Sequence, residues 1–165
     1  MKDTKFKSLT TGKNLDLLDE IQNFVKTYEN GKMYISTDSQ SKGKKVKYAT
    51  VIVLHSIDET GRGKGGKVMY KTCTSNRYMF GKSAGKDAVK LGKETDLSIE
   101  LAIFIRDETN ITVDYIDLDY NSDPKYFSNG VLISALGQVK SNGFKPRCKP
   151  ALATAAADKL VKRGN

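Results

Sequence analysis

A chain of 165 residues is long enough to bury a core without disulfide or metal staples, and one domain spanning 1–165 is expected. Its 28 Lys and Arg against 19 Asp and Glu give a net charge of +9, spread over nearly every segment, which suits a polyanionic partner and equally suits a solvated basic surface. Two cysteines without paired spacing and a single histidine argue against a disulfide framework or a zinc site, and no apolar run reaches the roughly 20 residues of a membrane span, so a cytoplasmic protein is expected.

Asn14 reads as the cap of a first helix over about 14–30, with Leu15, Leu18, Gln22 and Val25 on one stripe beside Ile21, and Asn30-Gly31 as its stop. Asp16, Asp19 and Glu20 fall in its first turns, where carboxylates complement the helix dipole. Met33 to Gln40 then predicts a strand with Asp38 near its end, and Tyr48 to Leu54 a second, joined as a hairpin by the basic turn Ser41 to Lys45. A carboxylate at a strand end can offer oxygens to a divalent metal from rigid backbone, although Asp-Ser also begins ordinary turns. The glycine-rich run Asp58 to Gly66 reads as a loop leading to a third strand, Lys67 to Thr72, and lacks the sequence of a phosphate-binding loop. His55 has no visible partner and reads as structural.

From about Lys86 to Asp107 the spacing of Val89, Leu91, Leu97, Ile99, Ala102, Ile103 and Ile105 predicts a long, largely buried helix. Asp96 and Glu100 share one of its faces and Glu94 lies at another angle; each of these acids either looks at Asp38 or solvates the outer face. Ile111 to Asp119 predicts a fourth strand whose alternation sets Asp117 and Asp119 on one face. Acids are depleted in strands, so two readings stand there, a carboxylate-lined strand end and an edge strand protected by charge. After a break at Tyr120 to Pro124, Ser128 caps a helix carrying Val131, Leu132, Ala135, Leu136 and Val139, stopped by Asn142-Gly143. Phe144 to Lys149 contains Pro146 and is expected at a sheet edge. The alanine-rich helix from about Ala151 to Lys162 holds Asp158, either a further carboxylate or the i,i+4 partner of Lys162.

The order of these elements, with acids in the first strand, the following helix and the fourth strand, is similar to the ribonuclease H-like fold. The chain resembles the YkuK family within it. The residues that carry the resemblance are Ser36-Thr37-Asp38-Ser39-Gln40, Ala49-Thr50-Val51-Ile52-Val53, Lys90-Leu91-Gly92-Lys93-Glu94 leading to Ser98-Ile99-Glu100-Leu101-Ala102, Asp119-Tyr120-Asn121-Ser122-Asp123-Pro124 with Ser128-Asn129, Gly143-Phe144 and Lys149-Pro150.

What this resemblance implies is an α/β domain with a mixed five-stranded sheet and helices on both faces. It further implies a Mg²⁺- or Mn²⁺-dependent nuclease hydrolysing phosphodiester bonds of RNA, DNA or a hybrid. Asp38, Glu94 and Asp119 take the positions of the catalytic, metal-binding carboxylates, with Glu100 the runner-up to Glu94 and Asp117 a reserve ligand. In the implied mechanism Asp38 bridges two metals about 4 Å apart, and Lys42, Lys44, Lys45 and Lys47 hold the nucleic-acid backbone. The sequence departs from the pattern after Lys149-Pro150, where related sequences tend to carry an acid and this chain has Ala151; Asp158 is the candidate substitute, two turns on. Two alternatives stay open: a noncatalytic nucleic-acid- or protein-binding module with a degraded metal site, and an adaptor or inhibitor that turns its basic surface to an acidic protein partner.

Overall fold

The computed structural model describes residues 4–76, 86–120, 128–148 and 151–162. Its elements run β1 (Lys5–Ser8), β2 (Asn14–Asp16), α1 (Leu17–Thr27), β3 (Lys32–Lys42), β4 (Lys45–Ile57), β5 (Gly63–Asn76), α2 (Lys86–Thr109), β6 (Tyr115–Leu118), α3 (Ser128–Ser141), β7 (Pro146–Cys148) and α4 (Leu152–Lys162). The seven strands among the described residues join one mixed sheet in the order β2-β1-β5-β4-β3-β6-β7. β3, β4 and β5 form an antiparallel meander, whereas β6 runs parallel to β3 and β7 parallel to β6.

Five of these strands, β5-β4-β3-β6-β7, are those expected from the sequence; β1 and β2 are additions, so the five-stranded expectation is corrected to seven. The hairpin displaces the start of the first helix. Asn14 lies in β2, and Asp16 is the cap instead, its Oδ1 accepting the N–H groups of Leu18 and Asp19 at 3.0 and 3.3 Å. Asp38 is likewise not at a strand end: β3 continues to Lys42, and Asp38 pairs with Ala49 in its interior. Nor is the glycine run all loop. β5 begins at Gly63, and a Cβ on Gly63 would sit 2.6 Å from His55 Nε2 while one on Gly66 would sit 3.0 Å from the Leu54 carbonyl oxygen, so close packing on β4 favours glycine there. β6 is shorter than the expected fourth strand and lies inside the sheet, which removes the edge-strand reading of its acids. The break expected at 121–124 and the Lys149-Pro150 step lie outside the described residues.

Helices cover both faces. On one, α1, α2 and α3 bury Leu17, Ile21, Leu101, Ile105 and Val139 against Ile35 and Ile52. On the other, α4 lays Ala153, Ala157, Leu160 and Val161 on Tyr34, Ala49, Val51 and Val53. Small alanines bring this helix close to the sheet. Because strand side chains alternate, Met33, Ile35, Thr37 and Ser39 of β3 face α2, and Tyr34, Ser36, Asp38 and Gln40 face α4.

Candidate functional site

β3 changes character halfway along. After Lys32 come the apolar Met33, Tyr34 and Ile35, and then Ser36, Thr37, Asp38, Ser39 and Gln40 follow in a segment that is buried or half-buried. Buried polar groups need partners, and here α2 provides them with a polar stripe. Ser98 Oγ donates to Thr37 Oγ1 at 2.8 Å, Thr37 and Thr50 hydroxyls lie 3.0 Å apart, and the Ser39 hydroxyl donates to Glu94 Oε1. One turn further, the Thr95 hydroxyl lies 2.8 Å from Tyr120 Oη, which donates to the Leu91 carbonyl at 2.9 Å. Burial pushes the Tyr120 phenol up to about 12, with the nearby charges of Glu94 and Asp96 adding to the rise. Tyr48, also buried and within the field of Glu94, is raised for the same first cause.

Asp38 lies on the other face, half-buried, with its Oδ1 accepting the Ser39 N–H at 2.7 Å. Ser39 thus touches both carboxylates, Asp38 through its amide and Glu94 through its hydroxyl. The parallel pairing of β3 with β6 runs Tyr34 to Tyr115, Ile35 to Ile116 and Ser36 to Asp117. Continued by two residues, that register sets Asp119, just beyond β6, beside Asp38 at about the 5 Å spacing of neighbouring strands. Two half-buried aspartates on one face are the hard oxygen donors that Mg²⁺ and Mn²⁺ take, so this pair fits one divalent ion. Glu94 reaches the same strand from the α2 side, where it accepts the Ser39 hydroxyl. Among the described residues no group of three or more His, Cys, Asp or Glu is placed to hold a metal ion.

The remaining acids have other partners. Asp117 is buried, accepts both Arg147 Nε and Nη2 at 2.8 and 2.9 Å, and accepts the Ala153 N–H of α4 at 3.0 Å. It pins β6, β7 and α4 together. Arg147 in turn lies 4.5 Å from the Tyr34 ring centroid and 5.1 Å from that of Tyr115, and its bonds to Asp117 hold its guanidinium above the usual range. Arg147 escaped the sequence reading; an arginine in a three-residue strand after Pro146 carries no periodic signal. Glu100 is exposed and pairs with Lys93 at 3.7 Å, and Asp158 pairs with Lys162 at 2.8 Å. That pairing raises Lys162, with Asp38 a smaller contributor, which places Asp38 near the carboxyl end of α4.

Of the lysines, Lys42, Lys44 and Lys45 are exposed around the β3–β4 turn. Lys47 is different. Its ammonium donates to the Leu160 carbonyl at 2.9 Å, in the last turn of α4.

The ribonuclease H-like family model matches residues 16–162, and the chain belongs to the ribonuclease H-like family. β1 lies outside the matched region. No curated protein matches the chain. No helix among the described residues is long and apolar enough to cross a membrane.

Proposed function

We propose that this chain is a divalent-metal-dependent nuclease of ribonuclease H-like type, of the YkuK group, that hydrolyses phosphodiester bonds of nucleic acid. The observation that carries the reading is the β3–β6 register, Ser36 opposite Asp117, which continued by two residues would bring Asp119 beside Asp38 on the α4 face. Mg²⁺ or Mn²⁺ on these two carboxylates would supply charge stabilisation at the phosphate. Ser39 fixes Asp38 through its amide, and Lys162 adds a positive charge near it. Glu94 accepts the Ser39 hydroxyl, and with the Asp38 and Asp119 pair as the ligands, one ion rather than two is the arrangement proposed. Both cysteines are free, which suits a reducing cytoplasm.

A noncatalytic nucleic-acid-binding module is the second reading, favoured by the commitment of Glu94 to Ser39 and of Asp158 to Lys162. One screen separates the two. Labelled single-stranded, duplex and hybrid substrates are incubated with Mg²⁺, Mn²⁺ or EDTA, using wild type, Asp38→Asn and Asp119→Asn. The nuclease reading expects cleavage that EDTA stops and that either variant reduces at least 100-fold while its thermal unfolding stays unchanged. Binding to nucleic acid without cleavage under any condition would replace it by the second reading.

A further inference from the structure

Alternation divides β1 cleanly. Phe6 and Ser8 are buried, Phe6 within the core beneath α1 and α2, and Lys5 and Lys7 stand exposed on the opposite face. On β5, Met69 joins the core of Phe6 and Tyr70 packs with the α4 cluster, so Tyr70, Thr72 and Thr74 share the face of the two lysines. α4 packs on this face over β3, β4 and β6, whereas Lys5, Lys7, Thr72 and Thr74 are exposed.

The registers turn this open face into a path. Lys7 pairs with Tyr70, which two residues on brings Lys5 beside Thr72; Thr72 pairs with Ala49, and Ala49 with Asp38. Three strand spacings separate β1 from β3, about 15 Å. The acid at the outer end of the row, Asp16, is turned into the cap of α1 and also accepts the Thr4 hydroxyl at 2.7 Å.

We propose that this row, from Lys5 and Lys7 across Thr72 and Thr74, seats one single strand of nucleic acid and leads its backbone past the carboxyl end of α4 to Asp38. The inference rests on the nuclease or nucleic-acid-binding reading above and names the surface it uses. Two lysines meet phosphates, threonine hydroxyls donate to phosphate oxygens, and the half-buried Tyr70 ring offers a base a stacking surface. Only an unpaired base can lay its face on Tyr70, so the occupant of this path, about 15 Å long across the strands, is a single strand rather than a duplex. β1 lies outside the family match at 16–162, whereas Tyr70, Thr72 and Thr74 lie inside it.

The test is metal-free anisotropy titration of labelled single-stranded RNA, single-stranded DNA and duplex at several salt concentrations. The proteins compared are wild type, Lys5→Ala/Lys7→Ala and Thr72→Glu, with circular dichroism melts confirming their folds. With two phosphates of the single strand no longer neutralised, the log-log salt slope should fall by about 1.4 and the affinity at 0.1 M salt by roughly 10- to 30-fold. Thr72→Glu, one exposed substitution, should weaken binding in the same direction if the double variant unfolds. Wild-type binding that both variants retain unchanged would overturn the path and leave the nucleic-acid reading standing. Binding confined to duplex would overturn the single-strand occupant. Wild type binding none of the three would overturn the reading on which the path rests.

Discussion

The Ser39 hydroxyl donates to the Glu94 carboxylate between β3 and α2, and both residues are buried. A carboxylate in such a place depends on its donors, because a missing hydrogen bond there is not replaced by water without cost. Ser39→Ala should therefore lower stability by about 1–3 kcal/mol, read as a shifted urea midpoint at constant slope. It should leave Asp38 undisturbed, since the bond to Asp38 comes from the Ser39 amide. A change smaller than about 0.5 kcal/mol would show that Glu94 does not need this donor.

Arg147 and Asp117 make a carboxylate–guanidinium fork, with Asp117 fully buried and the guanidinium about a third exposed. Removing one partner strands the other charge. Arg147→Ala should cost about 3 kcal/mol, toward the lower end for a buried pair because the guanidinium keeps some water. Arg147→Lys should recover little of it, since an ammonium makes neither the fork nor the flat contact over Tyr34 and Tyr115. Chemical denaturation of the two variants checks this; full rescue by lysine would reduce the contact to simple charge pairing.

How much of this was legible in the sequence follows from what kind of signal each residue carries. Asp38 stood out as an acid near the end of a strand that opens with Met33, Tyr34 and Ile35, and α2 because its apolar spacing persists over many turns. β1 and β2 were missed, being four and three residues long with too few side chains for any period to emerge. The placement of Glu94 could not be read either. Helical spacing tells which residues share a stripe, but not which strand residue each will meet, and Glu94 meets the Ser39 hydroxyl. Arg147 became visible only once β7 was laid beside β6, opposite Asp117.

Tyr120 gives the fold an alkaline limit. Its phenol ionises near 10 in the unfolded chain and at about 12 in the folded one, because burial disfavours the phenolate. The folded pKa is the higher, so the stabilisation is complete below pH 10 and is lost as pH rises from about 10 to about 12, by up to roughly 3 kcal/mol. Urea unfolding at pH 9 and pH 11 should show the loss in wild type. In Tyr120→Phe, which cannot ionise, the loss over this interval should be visibly smaller, though the variant starts less stable for want of the bonds to Thr95 and Leu91. Equal alkaline losses in both proteins would assign the effect elsewhere.

The lysines around the β3–β4 turn should separate into two kinds, although the sequence groups them as one basic cluster. Lys47 donates to the Leu160 carbonyl and so neutralises an unsatisfied acceptor in the last turn of α4, where a cation also meets the negative end of the helix dipole. Lys47→Ala should then lower stability by about 1 kcal/mol and loosen α4, exposing its amides to faster hydrogen exchange. Lys44 and Lys45 are exposed at the turn itself. Replacing both by alanine should leave the urea midpoint within about 0.5 kcal/mol of wild type and, if they meet phosphates, flatten the salt dependence of single-strand binding by about 0.7 for each phosphate no longer neutralised. A triple replacement that includes Lys47 would mix the two effects, so the comparison must be made between Lys47→Ala alone and the Lys44→Ala/Lys45→Ala pair. Destabilisation by the pair, or an unchanged midpoint with Lys47→Ala, would reverse the assignment.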